Sequence, residues 1–199
     1  MLFLDSAPEA RSDLFGCGLS ALGDCMVKVV TCGERQSPLG NLLTSKELAK
    51  LSPFLKTFLF AADRAWVFER VCQPELRFGA LVIWDRYVAS AIAYRSADFS
   101  DGTDLIDIEF VEQINSPFPI PDLTILVDIS KRTSSDRARH AGQDESYSMM
   151  HLERVREAYL TLARRWPTVT VNGEQSPDGV AADIGGAIRE RFPELFHDT

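Results

Sequence analysis

The chain is short of what staples a small fold or spans a bilayer. Its 199 residues hold four cysteines, Cys17, Cys25, Cys32 and Cys72, and none stands in a CxxC pair. No histidine lies at metal-ligand spacing from them, so they read as scattered thiols of a reducing compartment. No apolar run approaches the roughly 20 residues that a membrane helix needs. The opening MLFLD is apolar for four residues before Asp5, too little for a signal sequence. A cytoplasmic protein is expected. Positive charge is scarce as well: 21 Lys and Arg stand against 29 Asp and Glu, a formal net charge of −8. Such a surface argues against nucleic acid or an anionic membrane as the partner. It leaves room for a small basic pocket that takes a phosphorylated ligand.

What is present is an ordinary core and a regular alternation. Hydrophobic residues make up 45% and charged residues 25%, the balance of one soluble globular domain. Short β-rich runs occur at Leu2–Leu4, Val27–Thr31, Leu81–Trp84, Leu123–Val127 and Val169–Val171. Helix-length segments separate them. Ser52-Pro53 reads as N-cap and first helical residue. Phe54, Leu55, Phe58, Leu59, Ala62, Ala65 and Trp66 come next at three- and four-residue steps, as one apolar helical face. Leu152–Ala163 is a second helix, and Ser176-Pro177 opens a third that runs to about Phe192. Strands alternating with helices imply an α/β fold: a parallel sheet with helices on both faces, in a single domain over residues 1–199.

In such sheets ligands bind beyond the carboxyl ends of the strands. The run VIWDRY (82–87) therefore raises a question, because a core strand ends in an acid and a base. Asp85 and Arg86 read either as a strand-end salt bridge or as part of a ligand site. Asp128, after LTILV, occupies the same kind of position.

Three stretches, taken in order, carry a resemblance. LFAADRAW (59–66), VIWDRYVASAIAY (82–94) and PDLTILVDIS (121–130) resemble the thymidylate kinase family. SPLG (37–40) is similar to that family's TPLG, and HLERVREAYLTLA (151–163) to the helix after its lid. The likeness spans roughly Val27 to Ala163. It implies a P-loop-kinase-like fold with a five-stranded parallel sheet, a lid at about 134–150, and a homodimer through the helix from Phe54 to Val71. It also implies a reaction, transfer of the γ-phosphate of ATP to dTMP with Mg2+. By the same resemblance Phe60 stacks on the base, Arg64 binds the base edge, Arg86 holds the acceptor phosphate, and Tyr94 closes over the deoxyribose. Asp85 stands near the reacting phosphates and Mg2+, and Arg139 of the lid reaches the transferring group. Phe60 and Arg64 are four apart and share a helical face. A guanidinium fork suits Arg86's task, since two parallel donors meet two phosphate oxygens.

Plain structural readings stand beside these. Phe60 and Tyr94 also read as packing, Arg64 as a surface partner of Asp63 or Glu69, and Arg137 and Arg139 as solvated charge on a loop. Ala91 stands where many relatives carry a polar base contact. The ligand class is therefore a pyrimidine nucleoside monophosphate rather than dTMP alone.

The scarcity that matters most is local. The first strand leads into DSAPEARSD (5–13), which has no glycine and no lysine. A donor cradle needs glycines so that backbone N–H groups can close on phosphates, and a lysine for charge. Here Pro8 lacks an N–H, and Asp5, Glu9 and Asp13 would repel a triphosphate. Arg11 and Ser12 fall near the missing lysine and hydroxyl, as the remnant of a degenerate ATP loop. Cys32-Gly33 replaces an expected arginine-glutamate pair, and Glu145 a lid arginine. Weak or absent ATP-dependent activity is expected. The alternatives are a non-catalytic partner subunit that keeps the fold and dimer surface, and ATP-independent hydrolysis of a monophosphate.

Overall fold

The computed structural model describes residues 2–5, 27–31, 37–98, 108–140 and 148–196; for the first two segments and for 138–140 only the backbone is described. Strands β1 (Leu2–Asp5), β2 (Val27–Thr31), β3 (Leu81–Asp85), β4 (Leu123–Asp128) and β5 (Thr168–Asn172) form one parallel sheet in the order β2-β3-β1-β4-β5. Each strand covers the run expected to form it. The helices of the described residues are α1 (Gly40–Leu43), α2 (Glu47–Lys50), α3 (Pro53–Val67), α4 (Gln73–Arg77), α5 (Val88–Asp98), α6 (Ile108–Asn115), α7 (Lys131–His140), α8 (Met149–Ala163) and α9 (Pro177–Arg191).

Serine starts three of these helices. Ser52 Oγ accepts from Leu55 N at 3.3 Å, Ser148 Oγ from His151 N at 3.2 Å and Ser176 Oγ from Gly179 N at 3.3 Å. Each bond satisfies one amide that a helix start leaves without an intrahelical acceptor. Gly79 (φ 80°) makes the left-handed turn into β3, a backbone state glycine enters at no steric cost.

The unbroken apolar run of β3 reflects burial on both faces. Leu81 and Ile83 point to one side, where Leu123, Ile125, Val127 and Val171 meet Val180, Ile184 and Ile188 of α9. Val82 and Trp84 point to the other, packed with Val67, Val88, Ile92, Val111 and Leu162. Cys72, fully buried, belongs to this second cluster; the other cysteines lie outside the described residues.

α3 departs from expectation twice. Its regular turn gives way after Val67 to a π-helical segment, Phe68–Cys72, before α4 resumes. Its buried residues are Thr57, Ala61, Asp63, Arg64 and Val67, rather than the positions of its apolar stripe. Phe54, Leu55 and Phe58 are left about 40% exposed (43%, 42% and 39%). Tertiary packing has turned the helix so that polar side chains face inward.

Candidate functional site

The exits of β1, β3 and β4 lie side by side, because β1 sits between the other two. The order reverses there: the chain steps outward from β1 to β2, returns through β3, and crosses to β4. That is the crevice in which open parallel sheets place ligands.

At the end of β3, Asp85 is 1% exposed. Arg86 comes next with φ 60°, the one positive φ of a residue other than glycine among the described residues. A left-handed backbone costs an L-residue roughly 1–2 kcal/mol, so the surrounding structure must hold it. Two residues later α5 begins, and its second turn brings Tyr94 back over Arg86. Arg86 Nη2 donates to the Tyr94 hydroxyl at 3.3 Å, and the guanidinium carbon lies 5.3 Å from the ring centre. Tyr94 is flanked from α8 by Tyr159, edge-on at 6.5 Å, and by His151 at 6.4 Å. Tyr159 donates to Ser90 Oγ at 2.8 Å and so ties α8 to α5. The cation is thus set on an aromatic platform with its fork fixed.

Arg64 is not on the surface. It is 2% exposed, with the rings of Tyr87 and Phe118 at 5.9 and 5.6 Å from its guanidinium carbon. Nη1 donates to Asn115 Oδ1 at 2.5 Å and Nη2 to the Tyr87 carbonyl at 3.3 Å. Its partners are therefore Asn115 and main chain rather than Asp63 or Glu69. Asp63, fully buried, instead accepts from the Ser37 hydroxyl, which anchors the SPLG segment against α3. Phe60 is half-buried one turn before Arg64. Tyr87 is fully buried; its hydroxyl donates to the Pro119 carbonyl at 3.2 Å, and burial pushes its phenol above the ordinary range.

The other predicted charges are placed differently. Asp128, at the end of β4, holds Arg156 of α8 through two bonds, 2.6 and 2.7 Å, which raise the guanidinium further. This is the plain strand-end salt bridge. Arg137 donates to the Gly173 carbonyl at 2.9 Å. It is a brace on the turn after β5 rather than solvated charge. That turn is tight: a Cβ on Gly173 would collide with the Ile129 side chain and come within 2.7 Å of Val127 Cγ1. Glu174 accepts from Thr133 Oγ1 at 2.5 Å and Ser130 N at 2.6 Å, and these bonds lower its carboxyl. Arg139 lies on α7, where only its backbone is described. Arg11, Ser12, Cys32, Gly33 and Glu145 lie outside the described residues.

Sequence reasoning missed Asn115, Tyr87 and Ser37 as parts of this arrangement. Asn115 ends α6 just before Ser116-Pro117, and no periodicity in the sequence marks it as buried. Tyr87 was legible only as the third letter of DRY.

A doubly wound parallel domain with a basic, aromatic-lined strand end is the class these features define. The family model described as thymidylate kinase matches residues 22–184. A probable thymidylate kinase of Pyrobaculum aerophilum is 36% identical over 86% of this chain and 88% of its own length. One from Pyrobaculum calidifontis is 34% identical over 83% and 84%. A thymidylate kinase of Limosilactobacillus fermentum is 33% identical over 78% and 75%. The chain belongs to the thymidylate kinase family. The matched stretch begins after residues 5–13.

That family uses ATP and Mg2+, and the residues present suit the two unequally. Among the described residues no three His, Cys, Asp or Glu gather as a metal site. Asp85 would offer one carboxylate. Mg2+ commonly takes one or two carboxylates plus substrate phosphates, so the metal's place depends on a bound triphosphate. The segment that should cradle that triphosphate has neither glycine nor lysine. The donor-side sequence does not fit the triphosphate. Among the described residues no helix is long and apolar enough to cross a membrane.

Proposed function

We propose that the crevice beyond β3 binds dTMP or a related pyrimidine nucleoside monophosphate, and that ATP-dependent phosphorylation of it is weak or lost. Arg86 takes the phosphate, Tyr94 lies against the sugar, Phe60 stacks on the base, and Arg64 serves the base edge. Asp85 stands beside the phosphate, and Arg139 and Arg137 belong to the lid side. The observation that carries the reading is Arg86 fixed on the Tyr94 platform in a left-handed backbone. A fork already oriented loses little entropy when it meets two phosphate oxygens.

The donor side supports the second half of the reading. Phosphoryl transfer depends on positioning and electrostatic stabilisation. Removing one preorganised donor costs about 3–4 kcal/mol, and DSAPEARSD lacks several at once. A coupled assay with ATP, Mg2+ and dTMP tests this. Turnover should fall well below the usual enzyme range of roughly 1–1000 per second. Turnover within that range overturns the loss of activity.

A second reading is favoured by α3. Phe54, Leu55 and Phe58 are half exposed, and Leu42 is 37% exposed. Such a face supports a homodimer through α3, and a role as a partner subunit that does not itself turn over nucleotide. Sedimentation measures the dimer. A thermal shift with dTMP separates the readings, because a purely structural subunit is not stabilised by it.

A further inference from the structure

Arg86 holds a strained backbone, and something must hold it there. The Arg86 side chain rests on Tyr94. The next residue, Tyr87, is fixed through its ring, hydroxyl and carbonyl. Its ring lies 4.7 Å from Trp84, its hydroxyl donates to the Pro119 carbonyl, and its carbonyl accepts from Arg64. Arg64 comes from α3, a different element, and reaches this carbonyl from a fully enclosed position. Its orientation is set by the shorter of its bonds, 2.5 Å to Asn115 Oδ1. Asn115 is 3% exposed and is itself fixed by Nδ2 donating to the Val111 carbonyl at 2.7 Å. A chain of contacts therefore runs from the end of α6 through α3 to the turn that presents Arg86.

We propose that Asn115 is a positioning residue for the phosphate fork: it orients Arg64, which clamps the Tyr87 carbonyl and so keeps Arg86 in its left-handed state. The amide is suited to this. Its oxygen fixes the direction of the guanidinium, and its N–H2 anchors the amide to α6. A buried guanidinium stripped of this acceptor loses its defined direction, and the turn at Tyr87 loosens. This inference rests on the monophosphate-binding reading given above.

The test is calorimetric titration of the full chain with dTMP and with thymidine, which lacks the phosphate. Wild-type protein must first bind dTMP. If it does not, the functional reading falls and this inference with it, before any variant is made. Asn115→Ala should weaken dTMP roughly ten- to hundredfold, as expected for loss of a bond to a buried charge. Its affinity for thymidine should fall by a clearly smaller factor, through the base edge that Arg64 serves. Asn115→Asp restores the acceptor towards Arg64 but not the donor towards Val111. Its dTMP affinity should recover while its melting temperature stays below wild type. A merely structural Asn115 would make affinity track stability in both variants. Unchanged dTMP affinity in Asn115→Ala, equal losses for dTMP and thymidine, or no recovery in Asn115→Asp each overturns the proposal. If Asn115→Ala does not fold, Asn115→Thr takes its place with the same expected and contradicting results.

Discussion

Two neighbouring strand ends of one sheet lead into very different chain. β1 and β3 are hydrogen-bonded partners, with Leu4 opposite Asp85. Beyond β3 the chain builds an instrument: a buried acid, a left-handed arginine, a tyrosine brought back by α5, and a second arginine clamping the turn from α3. At and beyond the end of β1 the sequence offers Asp5, Pro8, Glu9 and Asp13, with neither glycine nor lysine. The first set of residues suits a small anion held by side chains. The second lacks what backbone amides need to cradle a triphosphate. A phosphotransferase needs both ends, and a binding protein for the acceptor needs only one.

Arg86 carries the largest expected effect. Arg86→Ala should cost dTMP binding about 2–5 kcal/mol, a loss of roughly thirtyfold or more, measured by titration. Arg86→Gly should bind equally poorly but melt no lower than the alanine variant, because glycine carries no penalty at φ 60°. Equal binding by wild type and either variant would remove the phosphate site from β3. A smaller effect is expected from Tyr94. Tyr94→Phe removes the hydroxyl that accepts from Arg86 but keeps the ring, a cost of about 0.5–1.5 kcal/mol in dTMP affinity. Tyr94→Ala should lose more, since it removes the platform too.

The end of β4 sharpens the contrast. Asp128→Asn breaks the pair between Arg156 and Asp128, whose side chains are 45% and 23% exposed. The stability loss should be about 1 kcal/mol or less, read by denaturant unfolding, with dTMP affinity unchanged. The smallest effect concerns His151, which lies against Tyr94. Burial lowers its imidazole from the ordinary 6.5, with Arg95 and Arg154 lowering it further and Asp98 opposing them. The folded state therefore prefers the neutral ring. Its contribution is complete above about pH 6.5 and is lost as the pH falls through the lowered value. The melting temperature of wild type should drop more between pH 7.5 and 5 than that of His151→Gln.

Much of the scaffold could be read because burial leaves a pattern. A parallel strand covered on both faces must be a continuous apolar run, and LVIW and LTILV are such runs. Serine before proline marks a helix start by its capping chemistry, at Ser52 and Ser176 alike. The facing of α3 could not be read that way. Its apolar stripe stays half exposed, while Arg64 and Asp63 go inside because buried partners, Asn115 and Ser37, await them. Those partners are 51 and 26 residues away in sequence, and no local period announces them. Arg86 and Tyr94 were legible from their family motif, but the left-handed turn that joins them was not. A single positive φ depends on the contacts that enforce it. Of the two strand-end acids, Asp128 took the plain reading because Arg156 arrives from α8 to hold it, whereas Asp85 is buried at the end of β3.

If the two halves of the crevice are unequal, parallel calorimetric titrations of the wild-type chain with dTMP and with ATP plus Mg2+ measure the difference. The expected result is a saturable heat with dTMP that Arg86→Ala abolishes, and no saturable heat with ATP and Mg2+. Tight binding of ATP and Mg2+ would contradict the claim, as would an absence of any response to dTMP.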